Sequence, residues 1–222
     1  SSAASDVYKR QALRTDRIDI LQYQWRVAPG TDLDPLELFR SVIDEMVSTF
    51  QRLRDEGKAG YLMVFPSASC KMEVIDSGHF SGMISVCNLA RLDYGALRSE
   101  LERRNMGLLG FSPLHGGMLT DQHEHHPTDS DDRRSGEKYE KEYAKRQRIV
   151  EFFGEEIGPS MTSFALRALL STPVMGSLIT GMSTVEQVDE IVAALEAPAL
   201  PPDVFERAVA LWEKELAAIG GS

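Results

Sequence analysis

Short strand-like runs alternate with amphipathic helical runs five times between Ile18 and Ile219, with few residues between them. Such alternation predicts parallel strands, because two parallel neighbours need a crossover of about a dozen residues or more and a helix is the usual crossover. Ile18–Trp25 (IDILQYQW) reads as the first strand. Asp34–Glu56 reads as a long helix whose Leu36, Phe39, Ile43, Met46, Val47, Phe50 and Leu53 recur at three- and four-residue steps. Asp34 suits the N-cap, Pro35 the first helical position, Glu37 a capping box and Gly57 the stop. Gly60–Val64 is a buried strand, Lys71–Ser77 a weaker helix, Met83–Cys87 a strand, Tyr94–Asn105 a helix capped by Asp93, and Leu108–Phe111 a strand. After an irregular stretch from Ser112 to Ser135 come helices at Gly136–Phe153 and Thr162–Leu170, a strand at Ser177–Thr180 and a helix at Thr184–Leu195. Pro201 and Pro202 introduce a last helix.

A doubly wound sheet and a (β/α)8 barrel share this pattern, so periodicity leaves both open. In either, function gathers at the C-terminal ends of strands, here at Gln24, Ser112 and Thr180.

The formal net charge of −10 argues against nucleic acid or an anionic membrane as the main partner. A local anion site built from backbone N–H groups stays compatible with it. Cys70 and Cys87 have neither CxxC nor metal-ligand spacing, which fits reduced thiols in a cytoplasmic protein. No apolar run approaches the roughly 20 residues of a membrane span, and Ser1–Arg10 lacks the apolar stretch of a signal peptide. Ser1–Gln11 (SSAASDVYKRQ) resembles a translated sequencing adapter and is read as a non-native leader, with 12–222 forming part of one domain.

Four segments together resemble the aldo-keto reductase family. They are RTDRIDILQYQW, DEGKAGYLMV, NLARLDYGALRSELERRNMGLLGFSPLHGGMLTD and GSLITGMSTVEQVDEIVAAL. FSPLHGGMLT and GMSTVEQ are the most specific, because they occur in order and at the family's separation. The resemblance implies a partial (β/α)8 TIM barrel of about five C-terminal β/α units in an open arc, with about 90–100 residues of a whole barrel not accounted for. It also implies NADP(H) as cofactor, with NAD(H) not excluded, and a parent protein that reduces a small aldehyde or ketone. The family's acid Tyr, with its Asp and Lys, is assigned to no residue of this chain, so the chain alone is expected to be inactive.

By the same resemblance, Phe111 stands where a ring stacks on the nicotinamide, and Ser112, Leu114, Gly116 and Gly117 stand along the pyrophosphate, with Pro113 turning the chain between them. Gly181, Ser183, Gln187 and Glu190 fall at the adenosine end, where a Ser183–Glu186 capping box would open a helix toward phosphate. The plain alternatives are a Pro/Gly turn closing a strand and an ordinary capped helix.

Several residues depart from the family pattern. Gln24 replaces the His that polarises the carbonyl; its amide can donate a hydrogen bond but cannot titrate. Phe65-Pro66 replaces a Ser-Asn pair that holds the carboxamide, Ile84 stands at a family Gln, and Ile191 at an Asn. No Lys or Arg stands near Ser183 to grip a 2′-phosphate. These departures keep open a non-catalytic dinucleotide-binding regulatory protein on the same fold. His123, Glu124, His125 and His126 lie in a polar loop without metal-ligand spacing, so no metal is expected. Asp129–Arg148 reads as an exposed charged helix and its approach.

Overall fold

The computed structural model describes residues 14–25, 33–92, 94–126 and 136–220. The Ser1–Gln11 leader and the Asp93 cap lie outside the described residues. Five parallel strands follow one another in sequence order as an open sheet, not a closed barrel. The chain divides into two compact units, 1–84 with 100–107, and 85–99 with 108–222.

The first unit holds β1 (Ile18–Gln24), α1 (Pro35–Asp55), β2 (Ala59–Phe65), α2 (Lys71–Ser77), the start of β3 (Gly82–Val86) and most of α3 (Arg98–Arg103). β1 and β2 pair in unbroken register from Leu21↔Leu62 to Gln24↔Phe65. Asp34 caps α1 as the sequence predicts, its Oδ1 accepting from Leu36 N at 2.7 Å and Glu37 N at 3.1 Å. Gly57, at φ 70°, ends the helix: its N–H donates to Arg54 O and Lys58 N–H to Leu53 O, the paired bonds of a Schellman stop. The apolar stripe of α1 puts Phe39, Ile43, Phe50 and Leu53 into the core. There Phe39 meets Trp25 edge-on at 5.3 Å and stacks with Phe80 at 6.4 Å. Gly82 is required by close approach, since a Cβ there would lie 2.2 Å from Gly107 O.

The single helix expected over Tyr94–Asn105 is instead a 3-10 turn at Gly95–Leu97 followed by the short α3. Asn105 ends it at φ 53°, with Met106 N–H bonded back to Leu101 O at 2.9 Å. Asn tolerates that left-handed cap better than most residues.

The second unit contains all of β4 (Gly107–Phe111) but its first residue, α4 (Glu137–Phe153), α5 (Met161–Leu170), β5 (Met175–Ile179), α6 (Val185–Glu196) and α7 (Val204–Lys214). β5 begins earlier than the expected Ser177, with Leu108 opposite Met175 but Leu109 opposite Ser177, so Gly176 is bulged out of the pairing. Phe164, Leu169, Phe205 and Leu108 are among the fully buried side chains of this core. Both cysteines are buried free thiols.

The reading of the 129–148 run as solvated is wrong where it is described. Glu142, Lys145 and Arg146 on α4 are buried, and its outer face carries Glu140, Lys141 and Ala144. A helix this polar conceals its inward face from a hydrophobicity count, because that face is itself charged and pairs internally.

Candidate functional site

β4 delivers Phe111 to the edge of a cleft of about 660 Å³ in the second unit. The chain beyond β4 is strongly bent. Ser112 has φ 59°, His115 49°, Gly116 65° and Gly117 96°. Glycine adopts such angles freely, while Ser112 and His115 adopt them against a steric penalty and so need outside support. The turn is closed by His115 N–H to Ser112 O at 3.1 Å, Gly117 N–H to Leu114 O at 2.9 Å and Leu119 N–H to Leu114 O at 3.2 Å. Thr120 Oγ1 donates to Gly117 O at 2.6 Å. Asp121 anchors the exit by accepting from Met161 N and Ser160 Oγ, both at 2.6 Å, at the start of α5.

The opposite wall comes from the end of β5 and the start of α6. Thr180, Gly181, Ser183, Gln187, Glu190 and Ile191 line it. A Cβ at Gly181 would meet no protein atom within 4 Å, so the missing side chain leaves room in the site rather than in the packing. The capping box differs from the expected Ser183–Glu186. Thr184 is the N-cap and accepts from Gln187 N at 3.3 Å, while Gln187 Oε1 accepts from Ser183 N at 2.7 Å. Both S-x-x-E and T-x-x-Q satisfy the capping pattern, and the structure takes the second. Glu186 in the first turn turns back onto its own backbone N–H and the Thr184 hydroxyl, which hold its carboxyl below the usual range. Donors that a phosphate would use at this helix start are thereby engaged by the chain itself.

All ten residues named for a dinucleotide, Phe111, Ser112, Pro113, Leu114, Gly116, Gly117, Gly181, Ser183, Gln187 and Glu190, line this one cleft. Phe111 is 43% exposed, a position that presents its ring and does not bury it in the core. Among the described residues, no Lys or Arg lines the cleft. Gln24 lies in the first unit, exposed on β1 and opposite Phe65 on β2. Pro66 and Ile84 are buried there and carry no side-chain hydrogen-bonding group.

Sequence reasoning missed a polar cluster beneath the bent loop. Asn88 is fully buried and its Nδ2 lies 3.3 Å from both Ser112 O and His115 Nδ1. His115 Nε2 lies 2.8 Å from Glu142 Oε2, and Lys145 Nζ 3.2 Å from the same oxygen. Burial pushes the Glu142 carboxyl up, but the hydrogen bond from His115 and the nearby Lys145 ammonium outweigh it and hold the group below the usual carboxylate range. The signal available in the sequence was His115 itself, inside a Gly-rich loop where a small residue would relieve the backbone.

His123 lines the cleft, and His126 packs edge-on against Tyr143 at 5.4 Å. Among the described residues no three His, Cys, Asp or Glu side chains are grouped to hold a metal. Among them also, no helix is long and apolar enough to cross a membrane.

The Aldo/keto reductase family model matches residues 8–213. Among curated proteins the chain is similar to L-galactose dehydrogenase of Arabidopsis thaliana, 26% identical over 162 residues that cover 69% of this chain and 47% of that protein. The chain thus spans about half the length of that relative. Among solved structures it resembles apo aldo-keto reductase AKR11C1 from Bacillus halodurans, at TM-score 0.70 and 18% identity over 94% of this chain and 67% of that one. It also resembles glycerol dehydrogenase AKR11B4 from Gluconobacter oxydans, at TM-score 0.71 and 21% identity over 96% of this chain and 64% of that one. At these identities the two structures speak to the fold alone, while the family model covers nearly the whole sequence: the chain belongs to the aldo/keto reductase family.

Proposed function

We propose that the cleft binds a nicotinamide dinucleotide, with the pyrophosphate against Ser112–Gly117 and the adenosine end against Gly181–Ile191. On this reading the chain is the cofactor-holding part of a (β/α)8 oxidoreductase that exchanges a hydride with a small carbonyl compound. The dinucleotide supplies the hydride when bound. The chain's residues bind and orient it: Phe111 offers a ring face at the cleft edge, and the left-handed backbone at Gly116 and Gly117 keeps Cβ atoms away from an anion. The observation that carries the reading is the convergence of two distant segments, 111–117 and 181–190, on one cleft.

The residues fit a dinucleotide without a 2′-phosphate better than one with it. Among the described residues the cleft lining holds no cationic Lys or Arg, and Glu186 already covers the start of α6. The proposed preference is therefore weak or in favour of NAD(H). The free thiols fit a reducing compartment, and we place the protein in the cytoplasm.

Gln24 stands at the family's His position and would orient a carbonyl by donation without moving a proton. With no acid assigned, the chain by itself is proposed to bind the dinucleotide and to reduce nothing. Titration of the chain with NADH and NADPH, followed by nicotinamide fluorescence, should show saturable binding, and no oxidation should follow on adding a panel of aldehydes. Absence of binding would refute the site; turnover above a blank would refute the inactivity. A second reading, a non-catalytic regulator, draws on buried Ile84 and Pro66, which offer a carboxamide nothing to bond. It would be favoured if the dinucleotide binds and no aldehyde is turned over in any longer product of the same gene.

A further inference from the structure

Ser112 and His115 are strained at positive φ without being glycine, and the same buried amide reaches both. We propose that Asn88, His115 and Glu142 form a clamp that holds the bent backbone in the shape that receives pyrophosphate, with Glu142 a positioning residue acting through His115. The inference rests on the dinucleotide reading above.

The hydrogen bonds have a single consistent direction. The Ser112 carbonyl only accepts, so the Asn88 atom facing it is the amide nitrogen. The same nitrogen faces His115 Nδ1, which must then accept, and the ring proton sits on Nε2. There it is aimed at Glu142 Oε2 at 2.8 Å. Each member thus orders the next: Glu142 orients the ring, the ring orients Asn88, and Asn88 draws the Ser112 carbonyl inward. That carbonyl also receives His115 N–H at 3.1 Å, which closes the loop on itself. Strained backbone of this kind persists only when its surroundings over-determine it.

Burial makes the arrangement stiff. Glu142 is 2% exposed, so its charge needs both the His115 N–H and the Lys145 ammonium. Neither Asn88 nor Glu142 lines the cleft, and His115 does not either. Their influence on a ligand is therefore through backbone shape, and it reaches the pyrophosphate segment rather than the α6 wall.

That difference supplies the test. The chain and its Glu142→Leu, Glu142→Gln and His115→Phe variants are titrated with NAD⁺ and, separately, with adenosine by NMR, after circular dichroism confirms the fold. Loss of a charge-assisted bond should weaken NAD⁺ by about tenfold or more in Glu142→Leu and His115→Phe, while adenosine, lacking a pyrophosphate, changes by less than about twofold. Glu142→Gln keeps an acceptor for Nε2–H and should stay within about threefold of the parent. If Glu142→Leu does not fold, His115→Phe decides, since it leaves the Glu142–Lys145 pair in place. The clamp is overturned if NAD⁺ affinity is unchanged, or if NAD⁺ and adenosine weaken together. Failure of the unmodified chain to bind NAD⁺ would instead remove the dinucleotide reading, and the clamp with it.

Discussion

Gln187 accepts the backbone N–H of Ser183 at 2.7 Å, so two residues that resemblance gives as separate ligand contacts are bonded to each other. Gln187→Ala should therefore act twice. It removes the back-bond of the cap, with a stability loss of about 0.5–1 kcal/mol. It also frees Ser183 to shift, weakening dinucleotide binding by about two- to fivefold. Urea unfolding and a fluorescence titration of the same variant separate the two effects.

Gly116 and Gly117 carry φ of 65° and 96°. Valine at either site is β-branched where even alanine is strained, so Gly116→Val and Gly117→Val should weaken the dinucleotide by about tenfold or more, clearly beyond Gln187→Ala. Equal losses at all three positions would show that the bent backbone has no special part in binding.

Glu186 folds back on the first turn of α6. Its replacement by Gln removes a negative charge from the place a 2′-phosphate would approach, and should improve NADP⁺ affinity by about two- to fourfold with NAD⁺ unchanged. The two affinities in the unmodified chain should differ by less than about tenfold. A preference for NADP⁺ of a hundredfold would require a cation that the described lining lacks.

The Glu142 carboxyl is held below the usual carboxylate range, so its folded value lies under its unfolded one. Its contribution to stability is complete above the ordinary carboxylate range, about pH 4.3 for Glu. It is lost as pH falls through the lower, folded value. In Glu142→Gln that part of the acid dependence should vanish, so denaturant midpoints of parent and variant should converge as the solution is acidified from pH 7. Parallel curves down to acid unfolding would place the stabilising proton linkage elsewhere.

The elements that the sequence made legible are those with one dominant signal. α1 combines an apolar stripe, an Asp-Pro start and a glycine stop, and it forms almost as expected. The lining of the cleft was legible through family-like motifs rather than through periodicity. Where two signals compete, the sequence was ambiguous. Ser183–Glu186 and Thr184–Gln187 are overlapping capping patterns, and only the folded helix start, with Thr184 as N-cap, selects between them. The buried face of α4 was hidden for another reason: Glu142 and Arg146 look solvated until His115 and the Glu124 carbonyl, which lie far away in sequence, are placed, and Lys145 is buried with Glu142. Nor does a local pattern announce that serine and histidine will take glycine-like angles at 112 and 115, since that depends on a buried asparagine at 88.

Gly176 sets a parity. In a regular strand Met175 and Ser177 would point the same way, but the bulge pairs Met175 with Leu108 and Ser177 with Leu109, which face opposite sides. Leu178 thereby joins Met175 on one side, where both come up against Gly110: a Cβ on that glycine would lie 2.7 Å from Leu178 Cδ2 and 3.1 Å from Met175 Sδ. Ile179 goes to the other side with Phe111, and the two border the cleft together. A β5 shortened by Gly176 would have to choose between keeping its packed side and keeping its cleft side. Either Ile179 would be turned inward, or the start of α6 would be drawn back by one strand residue, about 3.3 Å, out of step with the bent loop it faces. One residue with no side chain thus sets the phase between the two walls.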